Sequence, residues 1–313
     1  MAETVISVEG LRKSYEDLEA VRGVDLRVER GEIFAFLGPN GAGKTTTVEI
    51  LEGYRRRTAG DATVLGVDPS SPSRAWRERL GIVLQQCRMP PELTVRETAE
   101  LYAGYYRNPR PVDQTIELVG LGEKAETRSG KLSGGQQRRL DVALALIGDP
   151  ELVFLDEPTT GFDPAARRQA WKVIESLQEL GKTVFLTTHY MEEAQALADR
   201  VAIIVRGRIV AEGPPSELGG REDAAALISF RLPEGVAVGE LPGDAAGAAR
   251  VNGDLVVRTG SPVEALNELT GWAIERGIDL QGLEVRRPTL EDVYLRLTGA
   301  EGEVGEGGEG ASG

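Results

Sequence analysis

The feature that most limits what this chain can become is a break in an apolar run. Ile33, Phe34, Ala35, Phe36 and Leu37 read as a buried strand, and Gly38-Pro39-Asn40-Gly41-Ala42-Gly43 interrupts it at once. Lys44 and Thr45 follow, and residues 44–51 have helical character. A strand that feeds a helix through G-x-x-x-x-G-K-[ST] has the form of a phosphate-binding loop. Its glycines let successive backbone N–H groups turn toward phosphate oxygens, and the helix N-terminus adds the positive end of its dipole. Lys44 can then reach the β- and γ-phosphates of a nucleotide, and the Thr45 hydroxyl can ligate Mg²⁺. Pro39, Asn40, Gly41, Ala42 and Thr46 complete the candidate segment. The competing reading is a glycine-rich turn with an accidental lysine, which the flanking strand and helix disfavour.

Residues 152–155 form a second apolar run, which ends in Asp156 and Glu157. In open α/β sheets the carboxyl ends of strands are where nucleotides bind. There Asp156 would hold Mg²⁺ and Glu157 would act as general base on the attacking water. Taken alone, the two acids could equally cap the next helix. Upstream, Leu132-Ser133-Gly134-Gly135-Gln136-Gln137 leads into a helix that runs to Ile147. Serine and glycines at a helix start make another anion site, although an ordinary capped helix has the same composition.

The surrounding pattern is that of an α/β protein. Val5, Ile6 and Val8, then Val21, Val24, Leu26 and Val28, predict short strands in an antiparallel edge sheet. Residues 73–147 are mainly helical, with breaks at Pro90, Pro91, Pro109 and Pro111. Residues 183–186 form another buried run, 164–180 a helix stopped by Gly181, and 201–210 a hairpin turning at Arg206-Gly207. Strands alternating with helices predict a largely parallel sheet. Pro214, Pro215, Gly219 and Gly220 mark a linker. Beyond it, 227–232 is extended, Asn252-Gly253 turns a hairpin, and 262–276 is helical. Residues 280–285 are again extended, and a last helix over 289–297 starts with Thr289 and Asp292 placed to cap it. The tail, 299–313, holds seven glycines and four glutamates against one valine, which predicts disorder.

Bulk properties remove several functional classes. No apolar run approaches the roughly 20 residues that span a bilayer, and Met1-Ala2-Glu3-Thr4 lacks the character of a secretory signal. A cytosolic chain without direct membrane insertion is expected. The net charge is −14, of which residues 221–313 carry −9. A nucleic-acid binder would need a basic stripe instead. Cys87 and His189 are the only cysteine and histidine, which leaves almost no material for a disulfide or a zinc site.

LSGGQ at residues 132–136 resembles the signature of ABC ATPases, and it stands between the phosphate loop and the acidic strand as in that family. The resemblance implies a P-loop ABC ATPase domain over 1–220, with a helical subdomain about 86–150, followed by a small α/β domain over 221–298. It implies ATP and Mg²⁺ as ligands, with Ser133, Gly134, Gly135 and Gln136 on the nucleotide. Further roles follow by the same resemblance. Gln85, or its neighbour Gln86, would sense Mg²⁺ and contact a permease. Asp163 would belong to a loop crossing a dimer interface, although Phe162 stands where many relatives have leucine. His189 would hydrogen-bond the γ-phosphate. Tyr15 would stack on adenine, with a plain surface tyrosine as the alternative.

Two copies packed head to tail, hydrolysing ATP between them, are implied as the working unit. Residues 282–294, with Arg287-Pro288-Thr289-Leu290-Glu291-Asp292 at their centre, resemble the ending of ATP-binding subunits of daunorubicin-type drug exporters. Those subunits work with a separate type-2 permease, so a place on the cytoplasmic side of the membrane follows. An importer motor and a soluble ABC ATPase are the alternatives. Permease docking is expected at residues 87–97, with Met89 and Leu93 as exposed apolar contacts; a plain surface loop is the other reading.

Overall fold

The computed structural model describes residues 3–16, 18–84, 89–218, 225–233, 235–251, 253–287 and 289–298. Gln85, Gln86, Cys87, Gly219, Gly220, Asn252 and the 299–313 tail lie outside the described residues. Two compact units divide the chain, Met1–Pro215 and Ser216–Gly313.

The first unit opens with β1 (Thr4–Tyr15) and β2 (Leu18–Glu29), which pair antiparallel. At 12 residues each they are longer than the short strands expected. Register shifts at Val8/Leu11 and Lys13/Ser14 explain the difference. A bulge breaks the period-two apolar pattern while the ladder continues past it. Next come β3 (Ile33–Leu37), α1 (Lys44–Leu51) and β4 (Ala59–Val64). β4 joins β1 to complete a three-stranded sheet in the order β2-β1-β4. Then follow α2 (Arg74–Arg77), β5 (Leu80–Val83), α3 (Val95–Ala103), α4 (Val112–Leu118) and α5 (Gly134–Leu146). The unit closes with β6 (Leu152–Asp156), α6 (Pro164–Glu179), β7 (Thr183–Thr188), α7 (Met191–Leu197), β8 (Arg200–Val205) and β9 (Arg208–Gly213).

The main sheet has the strand order β5-β6-β7-β3-β8-β9, parallel except for the returning β9. Its central strands are almost wholly buried, and Phe34, Phe36, Phe154 and Phe185 share a core with Val8, Leu26 and Val64 of the three-stranded sheet. Phe185 gathers Phe34, Phe36 and Phe154 at ring distances of 5.4, 5.8 and 5.6 Å, which fixes β3, β6 and β7 against one another. That order decides where chemistry can occur. β6, β7 and β3 are neighbours, and they run directly into Asp156-Glu157, His189 and Gly38. In register, Asp156 stands opposite Thr187, and Leu37 opposite Thr188.

The second unit contains β10 (Ala226–Arg231), β11 (Ala249–Val251), β12 (Asp254–Thr259), α8 (Pro262–Arg276), β13 (Gln281–Arg286) and α9 (Leu290–Thr298). Its sheet is antiparallel in the order β11-β12-β10-β13. Ile228, Phe230, Leu255 and Val257 pack with Leu269 of α8 as a separate small core. At the start of α9 the Thr289 hydroxyl accepts from the Asp292 N–H, and Asp292 accepts from the Thr289 N–H at 2.6 Å. No described helix is long and apolar enough to cross a membrane.

Candidate functional site

The loop after β3 is shaped by glycines that no other residue could replace. Gly43, the N-cap of α1, has φ 105, and a Cβ there would lie 2.6 Å from the Ala20 carbonyl oxygen. A Cβ on Gly38 would lie 2.4 Å from the carbonyl oxygen of Ile204. With glycine at the cap, no side chain satisfies the first-turn N–H groups of α1, and no acid sits in that turn. The positive end of the helix is therefore open to an anion. Lys44 is nearly buried, and its Nζ donates to the carbonyls of Gly38 at 2.6 Å and Pro39 at 3.3 Å. Burial pulls the ammonium's pKa down, against the opposing pull of Glu157 and Asp156. A desolvated cation held by two carbonyls and a single carboxylate at 3.7 Å has much to gain from a phosphate.

Facing the loop are the two acids and the histidine. Asp156 accepts a hydrogen bond from the Thr187 hydroxyl, and that hydroxyl in turn accepts from the Glu157 N–H at 3.0 Å. Neither acid caps a helix; that role at α6 belongs to Asp163, which accepts from Ala165 and Ala166 N–H at 2.8 and 2.9 Å. Glu157 Oε1 lies 3.7 Å from Lys44 Nζ and 3.3 Å from His189 Nδ1. The Glu157 backbone is left-handed, φ 46. For a non-glycine residue that conformation costs about 1–3 kcal/mol and persists only where the surroundings over-determine it. Lys44, Thr45, Thr46, Asp156, Glu157 and His189 line one cleft of about 710 Å³. Tyr15 is at its rim, with Lys13 Nζ 4.9 Å and the Arg55 guanidinium 5.3 Å from its ring.

The serine-glycine segment lies elsewhere. Ser133 is the N-cap of α5 and forms a capping box with Gln136: each accepts a hydrogen bond from the other's backbone N–H, at 3.0 and 3.3 Å. Gln136 is thus engaged with its own helix start. Ser133, Gly134 and Gly135 line a different cleft of about 1010 Å³, shared with Gly161, Phe162 and Asp163. Of the residues around this second cleft, Glu157 and Thr160 also line the first. Behind it, Arg138 of α5 donates to the Asp156 carbonyl at 2.6 Å and to the Leu84 carbonyl, tying the start of α5 to the ends of β6 and β5.

Two family models match the chain: "ABC transporter" over residues 21–160, and "ABC transporter domain-containing protein-like, C-terminal domain" over 226–289. The chain is 40% identical to the daunorubicin resistance ATP-binding protein DrrA3 of Streptomyces coeruleorubidus, covering 98% of this chain and 99% of the relative. The chain belongs to the ABC transporter family. As an ABC ATPase it is also similar to the Nod factor export ATP-binding protein I of Rhizobium etli, at 39% identity over 97% of this chain and 96% of that one. Among solved structures, cbiO1 of Clostridium perfringens, part of the transporter complex cbiONQ, matches with a TM-score of 0.62 at 29% identity. That match covers 69% of this chain and 90% of the other. The cassette MJ0796, in a dimeric post-hydrolysis state bound to ADP and phosphate, matches with a TM-score of 0.60 at 25% identity, covering 67% and 98%.

In this ABC ATPase the structure brings the phosphate loop, Asp156, Glu157, His189 and Tyr15 to one cleft, and it keeps Ser133 to Gly135 in another. Gln85 lies outside the described residues. Met89 and Leu93, expected to be exposed, are half-buried, because the segment is held down where Ser129 N–H donates to the Leu93 carbonyl at 2.8 Å. Thr187, Thr160, Arg55 and Arg138 escaped the sequence reading. Thr187 carried a usable signal, since it stands two residues before His189 on a strand that must neighbour the acids. Arg55 had a weaker one, the basic run Arg55-Arg56-Arg57 just past α1.

Proposed function

We propose that this ABC ATPase is the motor of a bacterial exporter, working as a head-to-tail pair that holds ATP between its copies. One observation carries the pairing: within a single chain, Ser133, Gly134 and Gly135 line a cleft separate from the one around Lys44. A γ-phosphate on Lys44 is then completed by the serine-glycine segment of a second copy, and ATP acts as the adhesive. Thr45 and Asp156 fit Mg²⁺, a hard cation that takes a hydroxyl, a carboxylate and phosphate oxygens; when bound, it would neutralise phosphate charge. Gln85 is the third proposed ligand in that sphere.

Glu157 accepts a proton from the attacking water, and His189, 3.3 Å away, donates to the γ-phosphate. Tyr15 stacks on the adenine. Asp163 and Phe162 lie beside the serine-glycine segment and meet the partner copy. Hydrolysis breaks the shared contact and lets the copies separate. The relatives named for daunorubicin resistance and Nod factor export support an export role. A separate membrane permease would then place the subunit at the cytoplasmic face of the membrane. Tyr54, Met89, Tyr102 and Tyr106 line a groove of about 460 Å³ suited to a helix from such a permease.

A mixing experiment tests the composite site. Lys44→Ala and Ser133→Arg variants should each lack turnover alone. Mixed, random pairing gives about a quarter of wild-type turnover, from dimers with one intact site. Complete absence of recovery, with pairing verified, contradicts shared sites.

A further inference from the structure

Glu193 lies on α7, four residues past His189, and is 0% exposed. A wholly buried carboxyl requires partners, and here they identify its task. Its Oε1 accepts from the Thr159 hydroxyl at 2.8 Å and from the Trp171 indole N–H at 3.1 Å. The Thr188 hydroxyl, directly before His189, accepts from the Tyr190 N–H at 2.9 Å and is close enough to the same carboxyl to favour its charged form. Thr159 is likewise 0% exposed and sits in the turn two residues beyond Glu157. Trp171 belongs to α6, the helix that Asp163 caps.

One side chain, carried on the helix that follows His189, therefore bonds the turn that carries Glu157 and the helix that Asp163 caps. The turn at Glu157 needs such an anchor, because its left-handed backbone must be held from both sides. On one side the Glu157 N–H donates to the Thr187 carbonyl and hydroxyl of β7. On the other, the chain is fastened through Thr159 to Glu193.

We propose that Glu193 is a positioning residue for ATP hydrolysis, holding the Glu157 turn through Thr159 and tying it, through Trp171, to α6. In that arrangement the Glu157 carboxylate stays between Lys44, at 3.7 Å, and His189, at 3.3 Å. The inference rests on Glu157 acting as the general base. Burial pushes the Glu193 carboxyl above the usual carboxylate range, against the opposing pull of Thr188, Thr159 and Trp171. A neutral amide is accordingly a close replacement.

Steady-state ATPase kinetics, nucleotide titration and thermal melting of the full chain test this. Glu193→Ala should lower kcat on the order of tenfold or more while KM and the ATP Kd stay within about twofold. Thr159→Val should shift kcat in the same direction, and Glu193→Gln, which keeps the acceptor oxygen, should recover most of the loss. Unchanged kcat in a folded Glu193→Ala protein overturns the inference. So does a parallel loss of kcat, ATP affinity and melting temperature that Glu193→Gln fails to rescue, which is the mark of a merely structural residue. If Glu193→Ala does not fold, Thr159→Val decides. Glu157→Gln separates the two levels: normal turnover in that variant refutes the base itself. Inactive Glu157→Gln beside normal Glu193→Ala and Thr159→Val refutes only the positioning role.

Discussion

Two helix starts in this molecule, both rich in glycine, handle their unsatisfied N–H groups in opposite ways. At α1 the cap is Gly43, no side chain intervenes, and a nearly buried lysine waits beside the open N–H groups. At α5 the cap is Ser133, whose hydroxyl is already engaged with Gln136 in a reciprocal box. The first start is a standing anion site. The second already has its Gln136 N–H satisfied by its own cap, so it meets a phosphate with the Ser133 O–H and the glycine N–H groups and with no lysine beside them. Glycine content alone does not distinguish them; the identity of the cap residue does.

The largest expected effect falls where the open helix meets the acids. Glu157→Gln should cut ATP turnover by on the order of 10²–10⁴-fold with ATP binding kept, read by phosphate release and nucleotide titration. If that variant hydrolyses ATP normally, the cleft around α1 is not the chemical centre. Lys44→Ala removes the cation at the open start and should weaken nucleotide binding by about 1.5–3 kcal/mol, measurable by calorimetry.

At the closed start, Ser133→Ala should lower unfolding free energy by about 1 kcal/mol, as loss of an N-cap does. Its nucleotide affinity as an isolated subunit should stay unchanged while turnover falls. A weaker monomeric affinity would erase the distinction between the two helices. Smallest is the effect of Asp292→Ala in the second unit, which removes the α9 cap and should lower that unit's melting temperature without touching turnover. Burial opposes ionisation of Asp292, but Arg286 and Thr289 outweigh it and hold the pKa at about 2, below the ordinary 3.8. A lowered folded pKa means the stabilisation is full above pH 3.8 and is lost as pH falls toward about 2. An acid melt of the wild-type chain beside the variant checks the sign.

What could be read without coordinates depended on how local each cause is. β3, the loop and α1 were legible because a buried strand, a glycine turn and a lysine occur in one stretch of chain. β4 was not, since Ala-Gly-Asp-Ala-Thr-Val is mostly small or polar and buries only Ala62 and Val64. α7 was missed as well: seven residues are too few to show helical periodicity. Arg138 looks like a solvated helix residue by type, and its burial comes from carbonyls on two strand ends far away in sequence. Glu193 is a similar case, an acid on a short helix whose hydrogen-bond partners come from two other segments.

Whether triphosphate is gripped by two chains at once is measured most directly by sedimentation of Glu157→Gln with Mg²⁺ and saturating ATP. A species of twice the 33.7 kDa chain mass, lost on exchange to ADP, is the expected result. Full nucleotide occupancy with the chain still sedimenting singly would contradict it.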